Sequence, residues 1–284
     1  MDDEGRRTMR GMIDRLDLFP QGARVDPEGN LWLGGCRASA LATEFGTPLY
    51  VFDEETLRAR CRAYLQALAQ HYPGRGQIAY AAKAYLNLAL AELFAQEGLS
   101  LDVVSGGELY VALQAGFPPG QIHFHGNNKS RAELAMALDA SVGRVVVDNA
   151  HELEMLERLA SERGRTVAVW LRLSPDVDVH THEYRKTGLL DSKFGFPIAT
   201  GAAQGALVRA LQSPYLEPVG LHAHIGSQVL DTEPFALAAG RLVEFAASMR
   251  TEYGFELREL SPGGGWGIAH TEADPSVDME PYVE

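Results

Sequence analysis

Short apolar, β-branched runs alternate with alanine- and leucine-rich segments of three-to-four spacing along most of the chain. The runs predict strands over Ile78–Ala84, Leu99–Ser105, Gln121–Asn127, Arg144–Asp148, Val167–Leu173, Glu217–Ile225 and Glu256–Ser261. The first five begin about twenty-two residues apart, the length of one strand, one helix and two short loops. Helices are predicted between them over Leu86–Gln96, Glu108–Ala115, Arg131–Ala140 and Ala150–Arg163. Strict alternation of this kind means an α/β chain with a parallel sheet covered by helices, either doubly wound or closed into a (β/α) barrel.

Strand polarity favours the barrel, because successive side chains of a strand face opposite ways. Ala79, Ala81 and Lys83 share one face, opposite Ile78 and Tyr80. His123, His125 and Asn127 oppose Ile122 and Phe124, and Arg172 and Ser174 oppose Leu171 and Leu173. Gly220, His222, His224 and Gly226 oppose Leu221, Ala223 and Ile225. One apolar face and one that turns polar toward the C-terminal end is the pattern of a barrel with its site at that mouth. An open sheet buried by helices on both sides would carry apolar residues on both faces. Two features depart from a regular barrel. The connection from Ser174 to Tyr215 is long, polar and aromatic-bearing, which points to function or disorder. Only seven strands are predicted, since Thr271–Glu284 is acidic, contains proline and makes a poor eighth.

At 284 residues and 46% hydrophobic composition, the chain can bury a large core. A net charge of −13 argues against nucleic acid or an anionic membrane as partner, since phosphate backbones need clustered cations. Met1–Phe19 is of mixed charge without the apolar centre of a signal peptide, and no run approaches a membrane span. Cys36 and Cys61 are too few and too scattered for a disulfide framework or a metal cluster. A cytoplasmic location is the expectation.

Lys83 carries the sharpest chemical signal. It is one of four lysines against twenty-one arginines, and it closes an apolar run. Lysine can lose a proton and attack a carbonyl, as arginine effectively cannot, and desolvation would favour that chemistry. The competing reading is a lysine snorkelling from a strand end. Lys129, the nearest rival for Schiff-base duty, lies in a hydrophilic stretch and is expected to keep an ordinary pKa. Gly263-Gly264-Gly265 ends the seventh strand, where many barrels bind phosphate, although a flexible turn would look the same. His222 and His224 could be core histidines, or two zinc ligands with a third from His123 or His125. Alternatively, one imidazole stacks on an aromatic cofactor while Ser227 bonds a phosphate. Asp102 faces inward, and Ser105 with Glu108 could cap a helix or touch a cofactor. Amine, anion cradle and stacking ring at one barrel mouth match the needs of pyridoxal phosphate.

With these residues in view, the chain resembles the diaminopimelate decarboxylases. These belong to the barrel-type pyridoxal-phosphate decarboxylases that include the ornithine and arginine enzymes and are related to alanine racemase. The resemblance rests on Tyr80–Ala84, Asp102–Glu108, Gly126–Ser130, His180–Tyr184, Thr187-Gly188 with Asp191–Phe196, His222–Gln228 and Pro262–Gly267, in family order. It implies an alanine-racemase-like pyridoxal-phosphate-binding (β/α)8-type barrel, here incomplete, with about seven strands and without the family's C-terminal β domain. Residues 53–284 would form that barrel, and residues 1–52 would pair with the missing domain.

Carried over position by position, the resemblance makes Lys83 the Schiff-base lysine and His224 the stacking ring. Ser227 and Gly263, Gly264 and Gly265 would hold the phosphate, Asp102 and Arg172 would line the cofactor site, and His222 would neighbour them. No metal is implied. The implied reaction releases carbon dioxide from meso-diaminopimelate to give L-lysine, in a homodimer when the protein is full length. Relatives continue into a Glu-Pro-Gly-Arg stretch whose carboxylate faces the pyridine nitrogen, and into a domain with a cysteine motif and a tyrosine. This chain has no counterpart of these, which makes a fragment of such an enzyme the expectation. Ornithine, arginine or a carboxylated polyamine is the alternative substrate. A non-catalytic cofactor-binding or regulatory paralogue is the alternative role.

Overall fold

The computed structural model describes residues 16–177, 194–271, 273–274 and 280–283. The stretches His180–Tyr184, Thr187-Gly188 and Asp191–Lys193 lie outside the described residues. Contacts divide the chain into two compact units, Met1–Gly74 with Ile268–Val283, and Arg75–Gly267.

In the first unit, β1 (Arg24–Val25), β2 (Leu31–Leu33) and β3 (Cys36–Arg37) form a small antiparallel sheet. Asp26 organises its first turn, accepting hydrogen bonds from the Asn30 amide and from Trp32 Nε1, both at 2.8 Å. Helices α1 (Ala38–Phe45) and α2 (Glu54–His71) follow. Asp53 caps α2 by accepting from the Thr56 amide at 2.8 Å, satisfying one of the donors a helix start leaves free. Cys36 is exposed and Cys61 is buried, and neither forms a disulfide.

The second unit is the expected barrel architecture. Along the chain run β4 (Ala79–Ala81), α3 (Leu88–Gln96), β5 (Ser100–Val103), α4 (Gly106–Gln114), β6 (Ile122–Phe124), α5 (Arg131–Ala140), β7 (Arg144–Val147), α6 (Ala150–Glu162) and β8 (Val167–Ser174). There follow β9 (Phe196–Pro197), α7 (Ala202–Gln212), β10 (Leu216–His222), α8 (Glu233–Tyr253) and β11 (Glu259–Ser261). Seven strands pair in parallel in the order β4-β5-β6-β7-β8-β10-β11, and β9 adds a two-residue parallel pairing to the end of β8. Apart from the two-residue β9, each described strand of this sheet lies beside the one before it, with no reversal of order, which is a curling barrel sheet rather than a doubly wound one.

Local chemistry explains the helix starts. Asn87, Ser105, Ser130 and Asn149 each accept a backbone N–H bond from the third residue onward, and Ser130 with Glu133 forms a full capping box. Ser105 caps α4 as expected, but its partner Glu108 reaches past it to the Val104 amide at 2.7 Å. The two strand faces separate as read from the sequence. Val145, Val147, Val169, Leu171 and Leu221 pack outward against buried leucines of α5, α6 and α7. The inner face carries Trp170, with Val146 and Val219 beside it. Glu259 accepts from Trp170 Nε1 at 2.7 Å and from Arg144 Nε at 2.6 Å, so β7, β8 and β11 share one internal carboxylate. Glu259→Gln should cost about 2 kcal/mol, since it leaves the half-buried Arg144 guanidinium without its counter-charge. A denaturant midpoint unchanged from the parent would remove this tie from the account.

Candidate active site

The polar inner positions converge toward the C-terminal ends of the strands. Adjacent strands set Ala81 beside Asp102, and Asp102 beside His123. Arg172 pairs with His222, which pairs with Ser261. These registers bring together side chains that lie far apart in sequence.

Asp102 accepts from His123 Nδ1 at 3.0 Å and lies 3.4 Å from His125 Nε2. Burial disfavours charge on Asp102, but the two imidazoles outweigh it and hold the carboxyl below the usual carboxylate range. His123 packs on Trp170 at 4.6 Å between ring centroids, and His125 meets His222 edge-on at 4.7 Å. Among the described residues, the group whose atoms approach like metal ligands is therefore Asp102, His123 and His125, within 4.8 Å of one another, not a zinc set built on His222 and His224. The His123–Asp102 hydrogen bond already satisfies two of the three. His125 Nε2 and His222 Nδ1 are buried without a hydrogen-bond partner, an uncommon state for buried polar atoms.

His224, half-buried just past β10, has its pKa lowered to about 4, first by burial and then by the nearby Lys83 and Arg172 charges. A bond from its ring to the Gly264 backbone opposes that shift. His222 is wholly buried and lies well below the ordinary histidine value, again mainly through burial. Both rings are thus neutral in the folded protein at pH 7. The unfolded chain takes up these protons near pH 6.5, so the folded state is penalised as pH falls from 6.5 toward 4. Thermal midpoints should drop between pH 7 and pH 5, and the drop should be smaller in His224→Gln. An equal drop in both proteins would detach His224 from the effect.

The Gly263–Gly265 loop is laced to the segment after β10. The Val229 amide donates to Gly265 O at 3.0 Å, and the Gly267 amide donates to Val229 O at 2.8 Å. Gly263 and Gly265 have φ of +83° and +106°. A Cβ on Gly263 would lie 2.2 Å from Ala223 O, and one on Gly265 1.8 Å from Gly226 O. Only glycine fits at positions 263 and 265 of this cradle. Ser227 stands beside it in an exposed bend.

Two expectations need correction, and both concern lysine. Lys83 does not end a strand: it sits in the 3-10 turn Ala82–Ala84 after β4 and is exposed, because the turn carries it past the apolar ladder. Of the two described lysines, Lys129 is the desolvated one, 5% exposed. Burial lowers its pKa, with Glu152 opposing. Its ammonium donates to Val146 O at 2.9 Å and to Gly126 O, and pairs with Glu152 at 2.8 Å. With three acceptors around it, Lys129 is a structural cation rather than a free nucleophile. Sequence reasoning passed over Asp148, which bonds Arg172 at 3.2 Å, and quoted Phe194 only as part of Asp191–Phe196, whereas its ring lies 4.7 Å from the Arg172 guanidinium. Asp148 was visible only as the polar end of an apolar run.

Residues 54–284 match the family described as pyridoxal-dependent decarboxylase, pyridoxal binding domain. The chain belongs to this family. It is 47% identical over 262 residues to a diaminopimelate decarboxylase of Bacillus subtilis, and 46% identical over 261 residues to one of Bacillus methanolicus. Each alignment covers 92% of this chain and 60% of the relative, so the chain spans about three fifths of their length. The crystal structure of diaminopimelate decarboxylase from M. jannaschii in complex with L-lysine superposes with a TM-score of 0.85 at 35% identity, covering 93% of this chain and 61% of that one. The family's cofactor chemistry fits the residues present. A glycine cradle admits an anion, and an accessible amine stands near a neutral imidazole. Among the described residues, no helix is long and apolar enough to cross a membrane.

Proposed function

We propose that this chain is the pyridoxal-phosphate-binding barrel of a diaminopimelate decarboxylase, which releases one carboxylate of meso-diaminopimelate as carbon dioxide and yields L-lysine. The observation that carries the reading is the meeting of Lys83, His224 and the Gly263–Gly265 cradle at one barrel mouth, in a chain matched over 92% of its length by such enzymes. The lysine in the M. jannaschii complex is the product this reaction would leave.

Bound pyridoxal phosphate supplies an electron sink for the bond broken at the amino acid. This chain's residues hold and orient it. The exposed Lys83 amine would be the residue that holds the cofactor's aldehyde carbon, and its exposure leaves it within reach of an incoming substrate. Backbone donors of Gly263, Gly264 and Gly265, with the Ser227 hydroxyl, take the phosphate. The neutral His224 ring offers a flat face without a competing charge. Asp102 and Arg172 line the same site with fixed opposite charges. Residues 1–52 serve as a segment pairing with a further domain of the complete protein, which we infer to be a cytoplasmic homodimer.

The test is carbon dioxide release by the complete protein from meso-diaminopimelate, ornithine and arginine, alongside cofactor absorbance of the 284-residue chain. Preference for meso-diaminopimelate is expected. A preference for ornithine or arginine overturns the substrate, and cofactor binding without release from any of them would make the protein non-catalytic.

A further inference from the structure

Beneath the site lies a buried charge cluster to which the chemistry above gives no role. Lys129, Glu152 and Asp148 have side chains only 1%, 3% and 3% exposed. The cluster reads as a chain of contacts. Lys129 Nζ pairs with Glu152 Oε1 at 2.8 Å, and Glu152 Oε2 accepts from the Asp148 amide at 3.2 Å. Asp148 Oδ1 accepts from Arg172 at 3.2 Å. Lys129 also ties the loop after β6, through Gly126 O, to the end of β7, through Val146 O. Two cations and two anions are thus buried together where four elements meet.

Burying charges is costly, and apolar side chains of similar volume would commonly give equal or greater stability. Such a cluster therefore invites an explanation other than stability. Its member at the cofactor site is Arg172, whose guanidinium also lies 4.7 Å from the centre of the Phe194 ring. Gly195, with φ of +77°, packs so closely that a Cβ there would lie 2.8 Å from Arg172 O. The guanidinium thus has the Asp148 carboxylate and the Phe194 ring as neighbours.

We propose that Lys129 and Glu152 are positioning residues, fixing the Asp148 backbone and carboxylate and through them the Arg172 guanidinium in the cofactor site. This rests on the cofactor reading of the site. Neither Lys129 nor Glu152 touches the cofactor in this scheme. Their influence passes through Asp148, which makes the effects of substitutions at Glu152 and Asp148 interdependent.

The test measures the dissociation constant of pyridoxal phosphate for the full chain, together with the thermal midpoint, in the parent, Glu152→Gln, Asp148→Asn and the double variant. Each single change should weaken binding about tenfold, and the double variant no more than the weaker single, because both act on one contact. A midpoint that falls while affinity stays at the parent value would make the cluster merely structural and overturn the proposal. Effects that multiply to about a hundredfold would overturn it too, by making the two residues independent. Should Glu152→Gln fail to fold, Glu152→Asp shortens the carboxylate away from the Asp148 amide and gives the same readout. A parent chain that binds no pyridoxal phosphate would instead refute the cofactor reading itself.

Discussion

Lys83→Arg should abolish borohydride-fixable pyridoxal phosphate, and should lower the decarboxylation proposed for the complete protein by several orders of magnitude. Arginine keeps the positive charge and most of the reach of lysine, so it preserves the field acting on His224. It cannot lose its proton to become a nucleophile. The exposed position of Lys83 in its 3-10 turn means the change should leave folding nearly intact, within about 0.5 kcal/mol. Peptide mapping after reduction decides the point. In the parent the label should fall on the peptide containing Lys83. Label on Lys129, in either protein, would reverse the assignment of the two lysines made from their surroundings.

Gly265→Ala should be the most damaging change of a single atom. The residue sits at φ +106°, and a methyl group would meet Gly226 O at 1.8 Å and His224 Cε1 at 3.1 Å. Left-handed backbone strain alone costs about 1–2 kcal/mol, and relief of the overlap must displace either the cradle or the segment carrying Ser227. A loss of about 3 kcal/mol or more in stability is expected, with loss of phosphate-dependent binding. Pyridoxal and pyridoxal phosphate separate the two effects. The cradle reading requires the phosphate's advantage in affinity to shrink in this variant. An undiminished advantage would place the phosphate elsewhere. Gly264, whose added Cβ meets nothing within 4 Å, supplies the contrast, and Gly264→Ala should be far milder.

Much of the barrel was legible in the sequence because its determinants are local. The α5 prediction coincides with the observed Arg131–Ala140, since Ser130 and Glu133 mark its start chemically. The predicted strands run longer than the observed ones at polar ends such as Ile78–Ala84 and Gln121–Asn127, where the chain leaves the ladder to build the mouth. Face assignments for His123, Arg172 and His222 hold because alternation within a strand needs no knowledge of its neighbours. Lys129 shows where such reading stops. Its sequence neighbours are polar, and its burial comes from acceptors at positions 126, 146 and 152. The Arg172–Asp148 pair spans 24 residues and exists only once β7 and β8 are in register.

The shared carboxylate of Glu259 has a geometric consequence. Strands in a sheet lie about 4.8 Å apart, so β7 and β11, three places apart in the order, would be separated by about 14 Å if the sheet were flat. A direct bond from Arg144 to Glu259 spans that interval only when the sheet is rolled. The contact is therefore a ruler of curvature. A pair of spectroscopic labels on the outer faces of these two strands would register its loss as an unrolling, even where every neighbouring strand remained paired.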